Sequence, residues 1–100
     1  MPTNLNSTTT KTTPGPNYWL GFDTAKAKMD YSLIDAQGLE MDYGTVPNNP
    51  TELTQLLLTI TGNYPGEAMH CVVEATSTYH YGLLEACQAV GIQCIVYNAF

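Results

Sequence analysis

Ala68-Met69-His70-Cys71-Val72-Val73-Glu74 is a mostly apolar run of strand length that ends at an acid, and stretches of helical spacing flank it on both sides. On the N-terminal side, Asn49 is placed to cap a helix, Pro50 fits its first turn and Glu52 stands where a capping-box acid belongs. Leu53, Leu56, Leu57 and Ile60 then repeat at helical spacing, and Gly62 is expected to end the element. On the C-terminal side the pattern predicts a helix from about Thr78 to Val90, with Leu83, Leu84, Cys87 and Val90 inward and Gly91 as its stop. Ile92-Gln93-Cys94-Ile95-Val96-Tyr97-Asn98 follows as a last strand.

Upstream of the first helix, Tyr18-Trp19-Leu20-Gly21-Phe22-Asp23 is another short apolar run ending at an acid. Met29 to Asp35 alternates apolar and polar residues, and Leu39 to Val46 follows after Gln37-Gly38, so three strands joined by short turns are expected. The order is β-β-β-α-β-α-β, a meander followed by strand-helix alternation. That order matches an α/β fold of ribonuclease H-like (RuvC-like) architecture. It predicts a mixed five-stranded sheet, here truncated, with the first and fourth strands side by side in the middle.

Residues 1–16 are Asn, Ser, Thr and Pro with hardly an apolar side chain, so a disordered tail is expected there, and one domain over 17–100. One hundred residues suit a single small domain, and a hydrophobic fraction of 44% against 12% charged is ordinary for a chain that closes a core. The formal net charge of -6, from nine acids against three lysines and no arginine, is the opposite of a free-standing nucleic-acid binder. Metal-dependent nucleases, however, concentrate carboxylates in the catalytic domain and can carry basic surface elsewhere. Cys71, Cys87 and Cys94 form no Cys-x-x-Cys pair and no zinc-ligand spacing, which fits a reduced, cytoplasmic protein with cysteines serving as small apolar residues. The first residues lack the apolar stretch of a signal peptide and no run of about eighteen apolar residues occurs, so a soluble, unexported protein is expected.

Asp23 and Glu74 each close an apolar strand, and ligands gather at the carboxyl ends of strands in open α/β sheets. If their strands are parallel neighbours, the two carboxylates converge, repel one another and favour a divalent cation such as Mg²⁺ that takes oxygen ligands. Asp30, Asp35, Glu40 and Asp42 read most simply as a solvated face of the hairpin strands. His70 reads as a packed strand residue and His80 as helix-start packing or a phosphate neighbour. Tyr79 and Tyr81 read as rim packing, with base stacking as the other use. Lys26 and Lys28 are equally solvated lysines or phosphate contacts.

Gly21-Phe22-Asp23-Thr24-Ala25-Lys26, Val46-Pro47-Asn48-Asn49 and above all Val73-Glu74-Ala75-Thr76-Ser77-Thr78-Tyr79-His80 resemble DEDD-type insertion-sequence transposases of the IS-one-ten class, which have a RuvC-like catalytic domain. Gly91 to Asn98 is also similar, and the resemblance covers about Tyr18 to the end of the chain. It implies that Asp23 and Glu74 are the first two of four catalytic and metal-binding acids, with Mg²⁺ or Mn²⁺ as cofactor. It implies DNA transposition by metal-assisted attack of a serine from a later domain, guided by an element-encoded RNA, in a homo-oligomer. The other two acids and the serine would follow Phe100, so the 100-residue chain is expected to be inactive alone. Three alternatives stand beside this one: a sugar-kinase-like or chaperone-like ATPase, a Holliday-junction resolvase, and a non-catalytic remnant or oligomerisation module. The ATPase reading is weakened because Asp23 is followed by Thr24-Ala25-Lys26-Ala27 without a glycine.

Overall fold

The computed structural model describes residues 16–98. The tail expected over 1–16 therefore lies outside the described residues apart from Pro16. Three strands come first, β1 (Tyr18–Thr24), β2 (Lys28–Asp35) and β3 (Glu40–Pro47), and α1 (Pro50–Asn63), β4 (Met69–Glu74), α2 (Tyr81–Val90) and β5 (Gln93–Tyr97) follow. They form one five-stranded sheet in the order β3-β2-β1-β4-β5. β1 runs antiparallel to β2, β2 antiparallel to β3, and β1–β4 and β4–β5 are parallel. The expected element order and the central pairing of the first and fourth strands are both found, with differences at element ends.

Alternation within the strands decides which face holds the core. Leu20 and Phe22 of β1, Met29 and Leu33 of β2, Val46 of β3, and Met69, Cys71 and Val73 of β4 are buried in one cluster with Leu53, Leu57 and Ile60 of α1 and Leu83, Ala86 and Cys87 of α2. Successive side chains of a strand point to opposite faces, so both helices cover the same face. Trp19, Gly21 and Asp23 of β1, and His70, Val72 and Glu74 of β4, lie on the other one. Each fully buried Leu contributes about 1.5–3 kcal/mol by leaving water.

α1 begins as its sequence predicts: the Asn49 side chain accepts from the Glu52 N–H at 2.9 Å, and Pro50 opens the first turn. Asn49→Ala is expected to cost about 1 kcal/mol in urea unfolding, since it orphans that N–H at a helix start. Gly62 does not end the helix, which continues to Asn63 and closes at Tyr64, whose N–H donates to the Thr61 carbonyl at 3.3 Å. Tyr64 packs on Tyr18 with ring centroids 4.9 Å apart, and that tertiary contact places the stop.

α2 starts at Tyr81 rather than Thr78. Ser77 holds φ at +52°, off the helical path, and residues 76–80 form turns instead, with the Tyr79 N–H donating to the Thr76 carbonyl. Its end matches expectation: Gly91 takes φ +88°, a left-handed conformation that glycine adopts without a Cβ clash, and its N–H donates to the Cys87 carbonyl at 2.8 Å. Inward positions on α2 include Ala86, unanticipated because alanine carries little pattern signal, while Leu84 and Val90 are only half-buried.

The three cysteines meet between β4, α2 and β5. Cys71 and Cys94 are register partners, and Cys87 comes down from α2. A hydrogen bond with the Cys71 thiol, reinforced by burial, pushes the Cys87 thiol up to about 12, and the Cys87 contact together with burial pushes Cys94 up as well. The folded Cys87 and Cys94 thiols therefore hold their protons more tightly than unfolded ones, whose value is near 9.0. This contribution to stability is complete below pH 9 and is lost as pH rises towards about 12, because the unfolded chain then binds fewer protons. The urea midpoint is expected to fall from about pH 9 upward, and to fall less in Cys87→Ala. An equal fall in both proteins would assign the effect to other groups.

Candidate active site at the carboxyl edge of the sheet

β1 and β4 run in parallel register up to the pair Phe22–Val73. The next residues along these strands are Asp23 and Glu74, so the two acids occupy neighbouring positions on adjacent strands, which lie about 4.8 Å apart in a sheet. Both are on the face free of helices. Asp23 is exposed and Glu74 half-buried.

Two residues unremarked as site components flank the pair. On the β2 side, Asp30 is the register partner of Asp23 and accepts from the Thr45 hydroxyl at 2.8 Å. Like charges placed opposite in an antiparallel pair repel. Counting register back from the Asp35 turn would have found Asp30; the alternating pattern alone showed only a polar strand. On the β5 side, Tyr97 is the register partner of Glu74. A shallow cleft of about 310 Å³ runs along this face, lined by Gly21, Asp23, Asp30, Ser32, Val72 and Tyr97 among others. Glu74 adjoins it through Tyr97 and is not itself a lining residue.

Behind the acids, one side chain fastens the loops that carry them. The Asn48 amide donates to the Ala25 carbonyl at 2.7 Å and to the Tyr79 carbonyl at 2.9 Å, while its own N–H donates to the Ala27 carbonyl at 2.9 Å. The loop after Asp23, the loop after Glu74 and the start of α1 are thus tied at a single amide. The Ala75 N–H donates to the Tyr97 carbonyl at 2.8 Å, extending the β4–β5 pairing one step past Glu74.

The remaining candidates do not line the cleft. His80 is 7% exposed, its ring set edge-on to Tyr81 with centroids 4.9 Å apart, and it packs within the helical layer. His70 packs edge-on against Trp19, centroids 5.5 Å apart. Lys26 and Lys28 are exposed. Asp35 caps its turn by accepting from the Gln37 and Leu39 N–H groups, each at 2.9 Å, and Glu40 accepts from the Ser32 hydroxyl at 2.5 Å.

The donor set suits a hard divalent cation in part. Two carboxylates side by side on a solvent-facing edge are oxygen ligands of the kind Mg²⁺ and Mn²⁺ take. Among the described residues no group of three or more His, Cys, Asp or Glu is disposed to hold a metal ion. Asp23 and Glu74 by themselves would supply only a share of a coordination sphere. Among the described residues no helix is long and apolar enough to cross a membrane.

A mixed sheet of this order, with both helices on one face and its central strands parallel, defines a ribonuclease H-like domain. The family model described as DEDD transposase of the IS110 type matches residues 20–100, and the chain belongs to that family. No curated protein matches the chain. Among solved structures, the ethanolamine utilization protein EutJ from Carboxydothermus hydrogenoformans is similar in fold, with a TM-score of 0.53 and 10% identity over 85% of this chain. This chain spans 38% of that structure's length, and at such identity the likeness concerns the fold alone.

Proposed function

We propose that Asp23 and Glu74 act as catalytic metal ligands in the DNA-transposing centre of a DEDD transposase. The observation that supports this most is the parallel β1–β4 register, which puts two acids from distant parts of the sequence at neighbouring positions on the open face. When bound, Mg²⁺ or Mn²⁺ would activate an attacking oxygen and stabilise the leaving one at a DNA phosphodiester. Asp23 and Glu74 would hold and orient that charge, with Asn48 keeping their two loops in fixed relation. The family implies four acids, of which this sequence carries two, so these 100 residues alone are proposed to leave DNA uncut. The family resemblance also supports an element-encoded guide RNA, assembly of several copies and action in the cytoplasm.

Titration of the chain with Mn²⁺, followed by the loss of the free-ion electron paramagnetic resonance signal, tests the assignment. Weak binding that disappears in Asp23→Ala and in Glu74→Ala, but persists in Lys28→Ala, is expected. Binding unchanged in the Asp23→Ala/Glu74→Ala double variant would remove the metal role from this pair. Strand cleavage by the purified chain, abolished in Asp23→Ala, would overturn the proposed inactivity of these residues alone.

A further inference from the structure

A chain that handles DNA with three lysines, no arginine and a net charge of -6 has little cationic surface with which to hold it. Around the acid pair the problem sharpens, because Asp23, Asp30 and Glu74 all repel phosphate. Contact there has to come from a metal or from an uncharged group. Tyr97 is such a group. It is the register partner of Glu74, it lines the cleft that Asp23 and Gly21 also line, and it is 49% exposed. The aromatic pairs among the described residues are Tyr18–Tyr64, Trp19–His70, Phe22–Tyr31 and His80–Tyr81, so its ring is stacked on no other. The neighbouring lining is low and partly apolar, with Gly21 lacking a side chain and Val72 half-buried, which leaves the ring accessible from the cleft.

We infer that Tyr97 is a stacking platform for an unpaired nucleobase of the DNA strand that enters the acid site, one position across the sheet from Glu74. This rests on the proposed metal-dependent DNA role of Asp23 and Glu74. An aromatic face suits the position because stacking carries no charge to be repelled by three carboxylates and accepts any base. Tyr43, 73% exposed on β3, is three strands from Glu74 where Tyr97 is one, does not line the cleft, and serves as the comparison residue.

The test is binding of a fluorescent single-stranded DNA oligonucleotide to the full 100-residue chain, by anisotropy at one fixed salt concentration with Ca²⁺ present. Tyr97→Ala is expected to weaken binding about tenfold or more, as stacking losses do. Tyr97→Phe keeps the ring and is expected to stay within about twofold of the parent, as is Tyr43→Ala. An affinity unchanged in Tyr97→Ala overturns the stacking role. A loss in Tyr97→Phe as large as in Tyr97→Ala also overturns it, by assigning the effect to the hydroxyl. If Ca²⁺-stimulated binding still depends on Asp23 and Glu74 in either case, the acid-pair reading survives. Binding indifferent to Ca²⁺ and to both acids, or no binding by the parent chain, overturns this inference along with the reading beneath it.

Discussion

In an assembled transposase containing this domain, Asp23→Ala is expected to lower metal-dependent strand transfer by about a thousandfold or more. A divalent cation contributes several kcal/mol of transition-state stabilisation, and about 4 kcal/mol corresponds to about three powers of ten in rate. The fold should be indifferent to the change. Asp23 is exposed and faces Asp30 across the β1–β2 pair, so its removal also relieves a repulsion. Unfolding free energies within about 0.5 kcal/mol of the parent, from urea titrations of the same preparations, separate loss of chemistry from loss of structure. Activity retained to within about tenfold would mean that Asp23 is not a metal ligand.

Leu57→Ala is expected to do the reverse. Leu57 is fully buried in α1, in the cluster that joins both helices to the sheet. Its truncation removes apolar burial and leaves a cavity, at a cost of about 3–4 kcal/mol. That is a large part of the stability of a small domain, and it should lower the melting temperature by about 15 °C or more. Circular dichroism melts measure it. Leu58, one residue on and exposed, provides the contrast, with Leu58→Ala expected within about 0.5 kcal/mol of the parent.

Much of this arrangement was readable because two periodicities were clear. Leu53, Leu57 and Ile60 at helical spacing, behind Asn49 and Pro50, located α1 from its start. Alternation over Met29 to Asp35 located β2, and an acid at the carboxyl end of the apolar runs in β1 and β4 pointed to the candidate site. What was less legible depends on tertiary contact or on backbone geometry. Gly62 looked like a stop, but α1 runs on to Asn63 and closes at Tyr64, which packs against Tyr18. Ser77 in a left-handed conformation delayed α2, and nothing in a serine announces a positive φ. Cross-strand partners were hidden for the same reason. Asp30 and Tyr97 become neighbours of the acids only through register, and the three cysteines, far apart in sequence, meet only once β4, α2 and β5 are assembled.

The sheet divides its labour by side, with Leu20, Phe22, Cys71 and Val73 under the helices and Asp23 and Glu74 turned away from them. Selection can therefore act on the two faces almost independently. On the proposed role of Asp23 and Glu74, a lineage released from the need to move DNA would lose these acids early, at no penalty to folding, while the residues beneath the helices stayed under constraint. In a set of diverged copies, the order in which the two faces decay would record whether an element fell silent before or after its protein ceased to fold.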